Sequence, residues 1–142
     1  MNKLIITSML ISSTAYCGTF NTVTLGTTSE GGFGVALYHD RNTQYGFYSN
    51  LAGGMGPNND DFALNVGLTK SLSNNIVGYA GAGISNNSRL ILSDGPIKEY
   101  ETELGFNGNL GLLFKTDITG FTADVGYNTG IEAAYFGLGY TY

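Results

Sequence analysis

Residues 100–114 read YETELGFNGNLGLLF, and the two faces of this stretch decide the fold. Tyr100, Leu104, Phe106, Leu110, Leu112 and Phe114 fall on one side of a two-residue period, against Glu101, Glu103, Gly105, Asn107, Asn109 and Gly111 on the other. Strands put successive side chains on opposite faces, whereas a helix would need apolar residues every three to four positions. The stretch is therefore a strand, and a long one. Phe62, Leu64, Val66 and Leu68 repeat the alternation, as do Phe121, Ala123, Val125 and Tyr127. The chain then stops on AYFGLGYTY, residues 134–142, with Phe136, Leu138, Tyr140 and Tyr142 again in phase.

Turn-forming residues divide the rest. Strands are expected at about 19–27, 32–39, 44–52, 61–70, 76–85, 98–114, 118–128 and 132–142, with edges uncertain by about two to four residues. The connections are SEGG, DRNT, GGMGPNND, SLSNN, NNSRLILSDGPI, KTD and TGI. Sequential strands joined by connections this short describe an antiparallel up-and-down meander.

Which face looks at water is settled by the polar side. Charged residues are 12% of the 142, about half the usual share, while Gly reaches 22, Tyr 10 and Phe 8. A soluble barrel would show Lys, Glu and Arg on its polar face. Here that face is chiefly Gly, Ala, Asn and Thr, which suits the cramped interior of an eight-stranded barrel. The apolar face then points outward into lipid. Aromatics support this, with Tyr45, Phe114, Phe121, Tyr140 and Tyr142 expected near the rim that carries the termini, and Phe33, Phe62, Tyr100 and Tyr127 near the other. The rival is a soluble barrel with the faces reversed and a ligand in its core.

The N-terminus reads as an export signal: Lys3, the apolar run Leu4 to Ile11, then small residues at Ser13 and Ala15. Cleavage is expected after Ala15 or after Cys17, giving a signal peptide over 1–17 and a barrel domain over 18–142. Cys17 is the single cysteine, so no intramolecular disulfide forms. A net charge of -5 with six scattered Lys and Arg excludes nucleic acid as a partner.

With its signal segment, strand count and a last strand ending on an aromatic residue, the chain resembles the small OmpA/OmpX-type eight-stranded barrels of Gram-negative outer membranes. The resemblance implies an all-β transmembrane barrel located in the cell outer membrane, in contact with its lipid and lipopolysaccharide. It also implies that Phe136, Leu138, Tyr140 and Tyr142 form the signal read by the barrel assembly machinery. It carries no catalytic residue over.

Three groups of side chains are the candidate sites. Pairing through the KTD turn is expected to bring Asp124 beside Asn107 or Asn109, and pairing with the last strand near Tyr135, forming a polar lumen cluster in which the buried carboxylate must be hydrogen-bonded. Glu99, Glu101 and Glu103, with Asp60, Asp61 and Asp94 in nearby connections, are expected to form an acidic rim on the extracellular side. Residues 86–98 either prolong the fifth and sixth strands as a hairpin or form a docking patch for a cell-surface partner.

His39, the sole histidine, lies at the wrong end for outer-leaflet lipid and lacks the His-x-Ser pattern of outer-membrane deacylases. No cofactor, metal or enzymatic activity is expected. The functional expectation is a non-enzymatic envelope barrel acting through its extracellular loops in surface interaction or envelope integrity. A narrow gated pore or a small lipid-modifying enzyme are the alternatives.

Overall fold

The computed structural model describes residues 20–39, 44–54, 61–91, 99–116 and 120–142, with 87–91 and 99–102 described as backbone only. The expected signal segment, Asp60 and Asp94 lie outside these residues. Eight strands follow in chain order: β1 (Thr22–Thr28), β2 (Phe33–His39), β3 (Tyr45–Gly53), β4 (Phe62–Ser71), β5 (Ile76–Ile91), β6 (Glu99–Lys115), β7 (Phe121–Asn128) and β8 (Ala133–Thr141). Each pairs antiparallel with the next, and β1 pairs with β8 from Thr22↔Thr141 to Thr28↔Tyr135, closing the barrel. Closure leaves no edge within the wall, so every backbone group there can be satisfied without water. Among the described residues no helix is long and apolar enough to cross a membrane, a statement that does not bear on strands.

The sequence alternation becomes an inside and an outside. Leu25, Phe33, Tyr45, Leu64, Ile84, Leu110, Val125 and Leu138, one from each strand in turn, are exposed, while Thr24, Tyr38, Tyr48, Asn65, Tyr79, Asn109, Asp124 and Tyr135 from the same strands are buried. Val66 and Leu68 are 64% and 68% exposed. An apolar band drawn from all eight strands is what a bilayer requires and water does not tolerate.

The aromatic positions fall at the two rims. Phe33 and Phe62 both flank Gly53 in register, at the end away from the termini. Phe121 lies opposite Tyr140 at the terminal end, where Tyr140 and Tyr142 also stack at 6.5 Å. Lys70 sits over the Tyr45 ring, 5.7 Å from its centroid, its charge carried to that rim by a long stem.

The turns have local causes. Between β1 and β2, Thr28 N–H donates to Gly32 O (3.2 Å) and Gly32 N–H returns to Thr28 Oγ1 (2.9 Å), with Gly31 at φ 78° supplying the left-handed step. Between β6 and β7, Thr116 N–H donates to Phe121 O (3.0 Å), and Gly120 takes φ 76°.

The last pair of this hairpin is Lys115↔Thr122, further along β7 than a KTD turn alone would give. The pairing is therefore Leu113↔Asp124 and Asn109↔Asn128, and Asp124 does not lie beside Asn107 or Asn109. The fifth strand runs to Ile91 rather than ending near 85, pairing out to Ile91↔Glu99, so the described residues take the hairpin alternative, and the sixth strand keeps the expected length.

Candidate functional site: a filled lumen and an open far edge

The lumen holds two polar layers. In the layer nearer the termini, Asp124 on β7 is 1% exposed and collects donors from three other strands. Thr24 Oγ1 donates to Oδ2 (2.9 Å), the Tyr38 hydroxyl donates to the same oxygen, and the Tyr79 hydroxyl donates to Oδ1 (2.8 Å). Because Thr24 gives its proton to Asp124, the Tyr135 hydroxyl, 3.2 Å away, donates to Thr24 Oγ1. Tyr135 thus belongs to the Asp124 cluster at one remove. Hydrogen bonds to an ionised acceptor are the strong ones, and several converging on one carboxylate compensate its burial.

Toward the far end lies a layer of asparagines. Asn65 Nδ2 donates to Asn50 Oδ1 (3.0 Å) and Asn128 Oδ1 (2.9 Å). Asn107 Nδ2 donates to Asn65 Oδ1 (2.6 Å) and Asn128 Oδ1 (3.1 Å), and Asn109 Nδ2 reaches Asn128 Oδ1 (3.0 Å). Asn107 and Asn109 are therefore brought together with Asn50, Asn65 and Asn128, apart from Asp124.

A stack of tyrosine rings joins the layers. Tyr48 packs on Tyr38 (5.7 Å) and Tyr79 (4.8 Å), and its hydroxyl donates to Asn109 Oδ1 (2.8 Å). Glycines opposite the rings make the room. A Cβ at Gly126 or Gly111 would strike the Tyr79 hydroxyl, and one at Gly34 the Tyr135 ring. Parity alone places Tyr79, Asn50, Asn65 and Asn128 inside; the glycines facing each ring are the further signal that could have assembled them.

Among the described residues no group of three His, Cys, Asp or Glu could hold a metal. His39 stacks its ring on Phe47 at 4.8 Å.

The far end is different. Glu99, Glu101 and Glu103 occupy alternate positions of β6, paired with Ile91, Arg89 and Asn87 of β5. Glu103 is exposed. The neighbours of this hairpin stop short of it: β4 pairs with β5 only as far as Asn86, and β7 with β6 only from Asn109. At the C-terminus, Phe136, Leu138, Tyr140 and Tyr142 are all exposed on the outer face of the wall.

A closed eight-stranded wall, apolar without and polar within, is the architecture of a transmembrane β-barrel. No protein-family model matches the sequence, and no curated protein gives a significant match. The solved structures it resembles include Ail of Yersinia pestis in a phospholipid nanodisc, with a TM-score of 0.62 at 13% identity over 87% of this chain and 99% of that one. Ail in complex with the heparin analogue sucrose octasulfate aligns with a TM-score of 0.65, again at 13% identity, over 87% and 97% of the two chains. A de novo designed transmembrane β-barrel gives 0.50 at 13% identity, over 87% and 93%. The likeness is one of fold.

Proposed function

We propose that this chain is a non-enzymatic outer-membrane barrel that acts at the cell surface through the connections at its far end. The observation that carries the reading is the β5–β6 hairpin, which outruns its neighbours at that end alone. Short turns face the periplasm and longer excursions face outward in this class, so the far end is extracellular. Outer-membrane lipid and lipopolysaccharide cover the apolar band, and the barrel assembly machinery reads the outward Phe136, Leu138, Tyr140 and Tyr142 of the last strand. The filled lumen supports a binding role over a pore or an active site.

Ail has been solved with a sulfated polyanion, and charge argues against a similar partner here. By position in the chain, eight of the eleven Asp and Glu fall at the far end, against two of the six Lys and Arg. Such a surface repels polyanions and attracts basic groups.

The test is made in whole cells. A Glu103→Cys variant expressed in a Gram-negative host should react with a membrane-impermeant maleimide, and its outer-membrane fraction should hold a band that shifts on boiling in SDS. Labelling only after lysis would place the far end inside and overturn the reading. Steady single-channel conductance in a planar bilayer would favour the pore instead.

A further inference from the structure

We propose that the outer wall at the end carrying the termini holds the headgroup of an anionic phospholipid between Lys70 and His39, over the rings of β3. This goes beyond the surface-acting reading and takes from it only the orientation, which makes the lipid one of the periplasmic leaflet.

Register sets the heights on the wall. A row of directly opposite residues runs Phe121, Tyr140, Val23, Leu37, Ser49, Val66, Ala82 and Gly108. It returns to β7 at Thr129, whose N–H donates to Gly108 O (2.8 Å). One circuit from Phe121 thus ends eight residues nearer the far end, and each strand crossed lifts the row by one residue. Counted this way, Tyr45 is level with Phe121, while Phe114, Tyr140, His39 and Lys70 stand one residue higher, about 3 Å. The aromatic girdle at this end is therefore level. Both nitrogen-bearing side chains lie in it.

Tyr45 and Phe47 point outward from β3, and both are exposed. Lys70 lies opposite Tyr45 with its Nζ 5.7 Å from the ring centroid, and on the other flank His39 lies opposite Phe47 and stacks on it at 4.8 Å. Phe20 braces the Phe47 ring edge-on at 5.3 Å. Strand spacing and rise put the Cα atoms of His39 and Lys70 about 12 Å apart, a gap that the lysine stem shortens by leaning on Tyr45. An ammonium held on a ring at the lipid boundary keeps its charge at the depth of the phosphates, and the imidazole offers an N–H at the same level. The rings between them face the glycerol and the first acyl carbons.

Charge favours the same occupant. By position in the chain, Arg41, Lys70 and Lys115 fall at this end against Asp40 and Asp117, apart from the lumenal Asp124, whereas the far end is strongly acidic. An anion is drawn to the one rim and repelled from the other. A zwitterionic lipid offers the same phosphate, but its own ammonium competes for it.

The chain has no Trp, so Tyr45→Trp gives a lone reporter that keeps a ring under Lys70. In the full barrel in phosphatidylcholine nanodiscs, brominated phosphatidylglycerol should quench it about fivefold more per mole than brominated phosphatidylcholine. Lys70→Gln should remove the preference and His39→Ala reduce it. Lys115→Gln, at the same end but on the opposite face of β6 from Phe114, should leave it unchanged. Phe121→Trp, level with Tyr45 on the opposite wall, should show none. Equal quenching by the two lipids, an equal loss in Lys115→Gln, the same preference at Phe121→Trp, or displacement by inorganic phosphate would each overturn the proposal. Heat shift checks that every variant is a closed barrel, and Phe47→Trp reports the same site where Tyr45→Trp does not close. Whole-cell labelling at Glu103→Cys reads the leaflet separately, so failure of the lipid site is distinguishable from failure of the orientation.

Discussion

The two faces of the barrel wall obey different rules. Outside, Leu64, Val66, Leu68, Leu110 and Leu138 need only be apolar and of ordinary size, because lipid adapts to whatever shape they present. Inside, Tyr38, Tyr79, Thr24 and Asp124 must meet at hydrogen-bond distance, and Gly111 and Gly126 must stay bare for them to do so. The wall is tolerant of shape and intolerant of charge on one side, and the reverse on the other.

Substitutions can break this contrast in order of force. Gly126→Val should be the most damaging, because its Cβ would overlap the Tyr79 hydroxyl, pushing that donor off Asp124, and crowd Leu110 O at 3.2 Å, so that the heat-shifted band weakens markedly. Ala82→Val, on the exposed face of β5, should leave the band intact. Asp124→Ala comes next: it strands three buried donors and should lower stability by about 4 kcal/mol in urea unfolding from lipid vesicles, with Asp124→Asn recovering part of the loss.

Val66→Arg should cost about 3 kcal/mol in the same assay if Val66 lies near the bilayer midplane, while Val66→Leu should change it by about 0.5 kcal/mol or less. Tyr48→Phe should give the smallest interior effect, about 1 kcal/mol, since it removes the single bond to Asn109 and keeps the ring stack. If Asp124→Ala cost no more than Val66→Leu, the interior would be as indifferent to partner geometry as the exterior.

The outside of the wall was legible from sequence because its rule is a period. Phe62 to Leu68 and Phe136 to Tyr142 each declare their face without reference to any other strand. The interior was legible only in part. Parity puts Asp124, Asn107, Asn109 and Tyr135 inside, but their partners depend on register, and the observed pairing sets Asp124 opposite Leu113 rather than Asn109. Tyr38 and Tyr79 reach Asp124 across the lumen from strands that never pair with β7. Such contacts follow from the stagger of the closed barrel, which no hairpin contains. At the far end, the resemblance to small outer-membrane barrels says that loops matter, while the open edge of β6 emerges only from where β7 ends.

The Asp124 network also orders events in time. Its donors lie 100, 86 and 45 residues away along the chain, at Thr24, Tyr38 and Tyr79. No single hairpin can assemble it, and Thr24 arrives only when the first strand meets the last. Contacts of such long range form late and slowly. Until that moment the carboxylate sits in a half-made wall without its full set of donors. The unclosed barrel is thereby made the unstable species on the assembly route, and the final seam draws shut against a chemical penalty for remaining open.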